Sequence, residues 1–177
     1  IPKTGGTTLR DIINRQYSTK QVLEILKIRE SLNMILDQDN DDISRLQVIQ
    51  GHMNYGIHNN IDTDYSYLTL LRKPVSRILS QYYYVINQNN NPLISTKMTI
   101  YDYFESGIDP FLINGQTQLI SGISCDINDP LIHSNELLEI AKNNLLNDFI
   151  IAGQTERFNE SVILMKLLLN WRMPYYS

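Results

Sequence analysis

The stretch Ile1-Pro2-Lys3-Thr4-Gly5-Gly6-Thr7-Thr8-Leu9-Arg10 combines glycine, lysine and threonine residues at the start of the sequence. Two adjacent glycines stand between a lysine and two threonines, and a helical spacing of apolar residues follows them. Glycine lets a backbone approach a ligand closely. The first turn of a helix offers unpaired N–H groups and a positive dipole end to an anion. The predicted contacts of a phosphate are Lys3, Thr4, Gly5, Gly6, Thr7 and Thr8.

This loop differs from the common Walker form, in which the lysine follows the glycines. Here Lys3 precedes Gly5 and Gly6. Taken alone, the stretch fits a glycine-containing turn with a threonine N-cap equally well, so a second segment is needed to decide.

That second segment is Leu68 to Tyr84. An apolar strand over residues 65–71 is predicted to place Arg72 at its carboxyl end, and Pro74 suits the first turn of the helix that follows. The arginine fork matches a phosphate, and Ser80 on the second helical turn adds one directed donor. Arg77 is interpreted as solvated or salt-bridged, or as functional. The stripe predicted to be buried on this helix consists of Val75, Ile78, Leu79, Tyr82 and Ile86.

A candidate base follows the short predicted strand Leu46–Gln50. His52 stands directly after its end, where ligands collect in parallel α/β sheets, and histidine transfers protons well near neutral pH. The alternative is a histidine that hydrogen-bonds nearby backbone. His58 is interpreted as orienting His52, contacting an acceptor or being exposed, and His133 as a surface residue.

The loop resembles the 5′-phosphosulfate loop of sulfotransferases, and the Arg72–Ser80 segment resembles their 3′-phosphate-binding segment. The two segments follow each other along the chain in the same order as in that family. These enzymes use 3′-phosphoadenosine 5′-phosphosulfate (PAPS), and the likeness is to the carbohydrate family that includes the heparan sulfate 2-O- and 6-O-sulfotransferases. Residues 51–58, 114–122 and 153–161 resemble further stretches of that family. Lys73 departs from the aspartate common in the 6-O branch, which leaves the branch and the acceptor open.

The resemblance implies roles for single residues. Arg72 and Ser80 would grip the 3′-phosphate, and the glycine loop with Lys3 would hold the 5′-phosphate that leaves. His52 would be the general base, so His52 and Lys3 are the candidate catalytic residues. The donor would be PAPS without a metal ion, and the acceptor a hydroxyl, on a glycan or another molecule. In the 153–161 stretch, Thr155 is predicted to be a helix N-cap, and Arg157 could also approach the donor.

The expected fold is α/β, P-loop-like, with three layers and a central parallel sheet flanked by helices, because strands and helices alternate along the chain. Helices are predicted over Gln21–Leu36 and over residues 99–107, the second with Thr99 as its N-cap and Asp102 at the N3 position. A buried strand is predicted at residues 149–152. Residues 1–177 suit a single domain. We expect this domain to lack its first strand, before the loop, and some C-terminal residues. Acceptor selectivity is assigned to loops at 37–45, 87–98 and 123–135.

The composition restricts the classes of binding partner and the cellular compartment that we expect. A net charge of −4 argues against broad nucleic-acid binding. No apolar run is long enough to span a bilayer, so any membrane association would come from segments outside this sequence. The single Cys125 reads as a small buried residue. It favours a reducing, cytoplasmic compartment, with a membrane-anchored form in the Golgi lumen as the alternative.

Two other functions remain open at this point. A P-loop kinase would use the same kind of cradle for ATP, but the Walker lysine position is empty and no clear magnesium-binding aspartate follows a strand. A nucleotide- or glycan-binding module without catalysis is the second alternative.

Overall fold

The structure, a computed structural model, describes residues 1–26, 35, 40–87 and 98–172. Its strands are β1 Val22–Ile25, β2 Val48–Gly51, β3 Tyr67–Leu71 and β4 Phe149–Gln154. Its α-helices are α1 Gly6–Gln16, α2 Asn40–Arg45, α3 Pro74–Ile86, α4 Ile100–Glu105, α5 Gly115–Ser121, α6 Asn135–Asn147 and α7 Phe158–Leu169. Short 3₁₀ turns lie at Thr19–Gln21, Ile57–Asn60, Pro130–His133 and Thr155–Arg157.

The strands pair in parallel, β1 with β2 and β3 with β4. The predicted α/β class with parallel strands and helices between them is therefore confirmed. The four described strands form two separate two-stranded sheets. The three-layer arrangement around one central sheet stays a prediction.

The helix predicted over Gln21–Leu36 is wrong at its start. Val22–Ile25 form β1, whose residue Val22 pairs with Val48 of β2. Val and Ile are stiff at χ1 and suit a strand, so pairing with β2 overrides the helical spacing. Residues 27–34 and 36–39 lie outside the described part. The loop expected at 37–45 is helical from Asn40 onwards.

The largest hydrophobic cluster fixes the position of the glycine loop. Leu9, Ile12 and Ile13 of α1 pack together with Leu70 of β3 and with α7. The α7 residues in this cluster are Val162 and Met165, and Trp171 joins them. Burial of such side chains contributes roughly 1.5–3 kcal/mol each. It therefore holds the start of α1 beside the carboxyl end of β3.

The helix α3 begins at Pro74, as predicted, but it is rotated relative to the predicted stripe. Val75 and Leu79 are 70% and 38% exposed, whereas Arg77 is only 3% exposed. The Arg77 guanidinium donates a hydrogen bond to the main-chain oxygen of Phe111. Burial lowers the pKa of this guanidinium from its usual value. The buried residue of α3 that packs in a cluster is Val85, against Tyr103 of α4.

Several local predictions are confirmed. Thr99 caps α4 in a capping box with Asp102, His133 is exposed, and Cys125 is buried. The strand predicted at residues 149–152 is present as β4, but its predicted burial is wrong: Ile150 and Ala152 are exposed, and Phe149 and Ile151 are half-buried. Within the described ranges, no helix combines the length and the apolar character needed to cross a bilayer.

Candidate active site

The glycine loop turns sharply before α1. Lys3 and Gly5 both adopt positive φ angles, 65° and 86°. A Cβ at Gly5 would lie 2.9 Å from Cε2 of Phe158, whereas one at Gly6 would meet nothing within 4 Å. A side chain at position 5 would therefore collide with the Phe158 ring, whereas Gly6 faces open space.

The first turn of α1 is available to an anion. Its N-cap residue is Gly5, which offers no side-chain cap, and Gly6 and Thr7 are exposed. Thr8 is half-buried. Thr4 is buried, and its hydroxyl donates to the oxygen of Ile1 at 2.8 Å. Thr4 therefore shapes the loop from inside, while Gly6 and Thr7 present the helix end to solvent.

Lys3 and Arg72 are brought together by the fold. Arg72 Nη1 donates to the main-chain oxygen of Lys3 at 3.1 Å. The Lys3 ammonium lies 4.1 Å from the centre of the Tyr84 ring, a cation–π contact. Burial, and then the charge of Arg72, lowers the pKa of Lys3 from its usual value. Two positive charges that act on each other in this way favour the binding of an anion near the loop.

The backbone of Arg72 is fixed by Gln116 of α5. Gln116 Oε1 accepts the Arg72 N–H at 2.9 Å, and Gln116 Nε2 donates to the Arg72 oxygen at 2.8 Å. This two-way pairing continues the hydrogen bonding of β3 by one residue. The position from which the guanidinium extends is thereby held.

Ser80 lies on the second turn of α3 and is half-buried. It precedes Tyr84 by one helical turn, so the two residues share one face of α3. Because Tyr84 carries the Lys3 ammonium on its ring, Ser80 lies on the helix face that is turned toward the loop.

The prediction that Thr155 is a helix N-cap is wrong. Its hydroxyl is directed to the main-chain oxygens of Thr4 and Leu71, at 2.9 and 3.0 Å. Thr155 therefore connects the glycine loop to the end of β3. The reason is that Thr155 follows directly on Gln154, the last residue of β4, so its hydroxyl lies beside the end of β3 and the glycine loop before the helix begins.

Glu156 and Arg157 follow in the same 3₁₀ turn. Glu156 Oε1 accepts the backbone N–H of Lys73 at 2.9 Å, which lowers the pKa of this carboxyl. Arg157 is exposed and pairs with Glu160 at 3.3 Å. The structure therefore does not bring the Arg157 side chain to Lys3 and Arg72.

His52 stands at the carboxyl end of β2, as predicted, and its N–H donates to the Ile25 oxygen at 2.9 Å. Gly51 before it has a φ of 130°, and a Cβ there would lie 1.9 Å from the Ile25 oxygen. Only glycine allows this close approach to β1. Burial lowers the pKa of the His52 imidazole, and the Arg10 charge acts in the same direction. Neutral His52 is suited to accept a proton.

His58 lies away from His52. Its Nδ1 is 2.8 Å from the Tyr67 hydroxyl, and its ring stacks on Tyr65 at 4.2 Å. Tyr67 is the first residue of β3, so His58 belongs to the amino end of this strand. Arg72 follows the opposite end. The contacts show a role that the sequence did not suggest, packing in an aromatic cluster with Tyr65 and Tyr67, and His58 is half-buried rather than exposed.

Sequence reasoning missed two supporting residues of this site, Gln116 and Thr155. Both lie in stretches that drew attention through the family resemblance, but nothing in the order of residues indicates what their side chains contact. The partners of Thr155, Thr4 and Leu71, are 151 and 84 residues away along the chain. Only the fold brings them together.

Comparison with known proteins gives this geometry a context. A family model described as the sulfotransferase family matches residues 1–161. A heparin sulfate O-sulfotransferase from Drosophila melanogaster is 26% identical over 188 aligned residues, which cover 94% of this chain and 53% of that protein. The chain thus spans about half the length of this curated relative. Because the family model matches most of the chain, residues 1–161, the chain belongs to the sulfotransferase family.

Proposed function

We propose that the protein transfers a sulfonate group from PAPS to a hydroxyl group of a carbohydrate. The observation that carries the proposal is the junction of the glycine loop with Arg72 at the carboxyl end of β3. Family membership supports the reaction class. The carbohydrate acceptor is supported by the name of the Drosophila relative.

The residues present fit a donor with two phosphate groups. The open space at Gly6 and the uncapped start of α1 suit the 5′-phosphosulfate. Lys3, whose charge is already partly desolvated, would lie beside it. Arg72 and Ser80 would hold the 3′-phosphate, the arginine by its planar fork and the serine by one hydroxyl.

When bound, the donor supplies the sulfonate group and a phosphate as the leaving group. His52 would take the proton of the acceptor hydroxyl as the hydroxyl oxygen forms its bond to sulfur. The bond between sulfur and the phosphate oxygen breaks, and its electron pair stays on the phosphate. Lys3 and the N–H groups of the loop would stabilise that charge, each preorganised donor contributing about 3–4 kcal/mol.

This proposal assigns no metal ion to the reaction, because the loop and Lys3 supply the positive charge at the leaving group. Among the residues that the structure describes, no three His, Cys, Asp or Glu side chains form a group that could hold a metal ion. Metal independence is a prediction, and it is tested by assaying transfer with and without a chelator.

The test is a transfer assay with sulfur-labelled PAPS and a panel of desulfated glycans. The wild type is expected to label at least one glycan, and His52→Asn to reduce kcat by about a hundredfold or more. Binding of 3′-phosphoadenosine 5′-phosphate, the nucleotide product, should be retained in this variant. His58→Asn is the matched control and should keep kcat.

Two results would count against the proposal. Full turnover by His52→Asn would require another base. Binding of the nucleotide product without transfer to any glycan would indicate a module that binds nucleotide but does not catalyse the reaction.

A further inference from the structure

A polar layer lies between α1 and the strand that precedes His52. Gln50 is only 7% exposed, and its Nε2 donates to Asn14 Oδ1 at 2.9 Å. The other end of this amide, Oε1, is buried and has no hydrogen-bond partner among the described residues. Leaving such an acceptor unsatisfied costs about 1–3 kcal/mol. A hydrogen-bond donor is therefore expected beside this oxygen.

His52 carries a second unsatisfied atom. Its Nδ1 is buried and likewise lacks a hydrogen-bond partner within the described ranges. Only Gly51, with its φ of 130°, separates His52 from Gln50 along the chain. The main-chain bond from the His52 N–H to the Ile25 oxygen belongs to the last pair of the two strands, Ile25 with Gly51, so His52 follows directly after the end of β2.

Both side chains lie under the same helix. Gln50 bonds to Asn14, and His52 is close enough to Arg10 for the Arg10 charge to act on its imidazole. Arg10 and Asn14 are one turn apart on α1 and so share a face. The Arg10 guanidinium is itself held by Glu24 of β1 at 2.8 Å. The charged groups near this layer are thus Arg10 from α1, Glu24 from β1 and the amino group of Ile1, whose charge lowers the pKa of the His52 imidazole more than that of Arg10 does.

The two unsatisfied atoms complement each other. An imidazole Nδ1 that carries a proton is a donor, and an amide oxygen accepts only. A side-chain rotation, or one buried water with these two partners, would satisfy both. Asn54 Oδ1 is also buried and unpaired among the described residues. The Asn54 amide nitrogen, however, donates to the Ser124 hydroxyl at 3.1 Å, whereas the Gln50 amide nitrogen donates to Asn14 of α1.

We propose that Gln50, held by Asn14, is the residue that orients His52. The Gln50 Oε1 accepts the Nδ1 proton of His52, directly or through one buried water. This leaves Nε2 of His52 as the nitrogen that takes the proton of the acceptor hydroxyl. The inference deepens the proposed function and rests on it for the role of Nε2. The tautomer it assigns is a property of the free protein.

This positioning determines which nitrogen can act. A neutral imidazole has one protonated and one unprotonated nitrogen, and the partner of the first selects the tautomer. With Nδ1 protonated, the lone pair is on Nε2. Without Gln50, the proton is free to occupy Nε2, and the fraction of His52 able to act as a base from that nitrogen falls.

The experiment is nitrogen NMR of the imidazole rings in uniformly labelled protein, without donor or acceptor. For the wild type at neutral pH, we expect His52 to show a protonated Nδ1 and an unprotonated Nε2. Gln50→Met should move the proton toward Nε2. Gln50→Glu should keep it on Nδ1 and raise the His52 pKa by about one unit or more, since a carboxylate favours the imidazolium. His58 and His133 are references in the same spectra.

Asn54→Leu is the matched control, because it removes the other unpaired amide oxygen near His52. An unchanged His52 tautomer in Gln50→Met, or a change in Asn54→Leu instead, would overturn the assignment. Gln50→Glu keeps the shape of the side chain, so an unchanged pKa there would overturn it even if Gln50→Met failed to fold. The NMR readout needs no turnover, whereas the His52→Asn transfer assay tests the proposed function, so the two failures are distinguishable.

Discussion

Arg72 Nη1 donates a 3.1 Å hydrogen bond to the main-chain oxygen of Lys3, 69 residues away along the chain. This bond joins the two segments predicted to bind phosphate. It holds the arginine fork beside the glycine loop, and it leaves further guanidinium donors for a ligand, since the fork has five. The two segments predicted to bind phosphate therefore lie next to each other.

Replacing Arg72 by lysine tests the need for the fork. Charged hydrogen bonds contribute about 1.5–3 kcal/mol, so Arg72→Lys should weaken binding of 3′-phosphoadenosine 5′-phosphate about 10- to 100-fold by calorimetry. Arg172→Ala is the control, because Arg172 is exposed and its N–H bonds to Gln16 at the far end of α1. Equal affinity of wild type and Arg72→Lys would contradict the assignment.

Ser80 is expected to recognise the 3′-phosphate only. Loss of one neutral donor costs about 0.5–1.5 kcal/mol, so Ser80→Ala should weaken binding of the bisphosphate nucleotide about three- to tenfold. Adenosine 5′-phosphosulfate, which has no 3′-phosphate, should bind to wild type and variant alike. A similar loss for both nucleotides would show that Ser80 acts on the fold of the site instead.

Thr155 connects the loop to β3, and its removal should loosen the loop. Thr155→Val keeps the shape but loses the hydroxyl that bonds to Thr4 and Leu71. We expect the free energy of unfolding in urea to fall by about 1–2 kcal/mol, with weaker nucleotide binding. Thr155→Ser keeps the hydroxyl and should retain both. If Thr155→Val bound nucleotide as the wild type does, the loop would not depend on this connection.

Gly51 sets the position of His52 through its φ of 130° and its contact with Ile25. An added Cβ would lie 1.9 Å from the Ile25 oxygen, so β1 and β2 would have to move apart. Gly51→Ala should lower the free energy of unfolding by about 1–3 kcal/mol or more and reduce turnover. Gly107→Ala, also at positive φ but with nothing within 4 Å, measures the backbone strain alone.

The pH dependence of transfer should reflect the lowered pKa of His52. Burial and Arg10 favour the neutral imidazole, so activity should persist as the pH falls through 6.5, the ordinary histidine value, and be lost only below it. Arg10→Gln removes a positive charge, which raises the His52 pKa, so the acid limb of the kcat profile should move to higher pH. Lys142→Gln, at an exposed pair with Glu139, should leave the profile in place. A shift to lower pH in Arg10→Gln would contradict the assignment.

Some features were determined by the sequence alone because they depend on neighbouring residues. The glycines and Lys3 indicated the loop, Pro74 marked the start of α3, and Thr99 with Asp102 marked the start of α4. Each of these signals acts over one turn or less, so it survives in any fold that contains it. The placement of His52 and Arg72 after strands follows from the same local patterns.

Other features were decided only by the tertiary structure. Apolar spacing shows which residues can be buried but not which partner covers them, so Val22–Ile25 became a strand beside β2 and Arg77, rather than Val75, was buried on α3. The side-chain hydrogen bonds of Thr155, Gln116 and Gln50 were likewise decided by the tertiary structure. Their side chains bond to groups far away in the sequence, and distance along the chain carries no information on which groups the fold will bring within 3 Å.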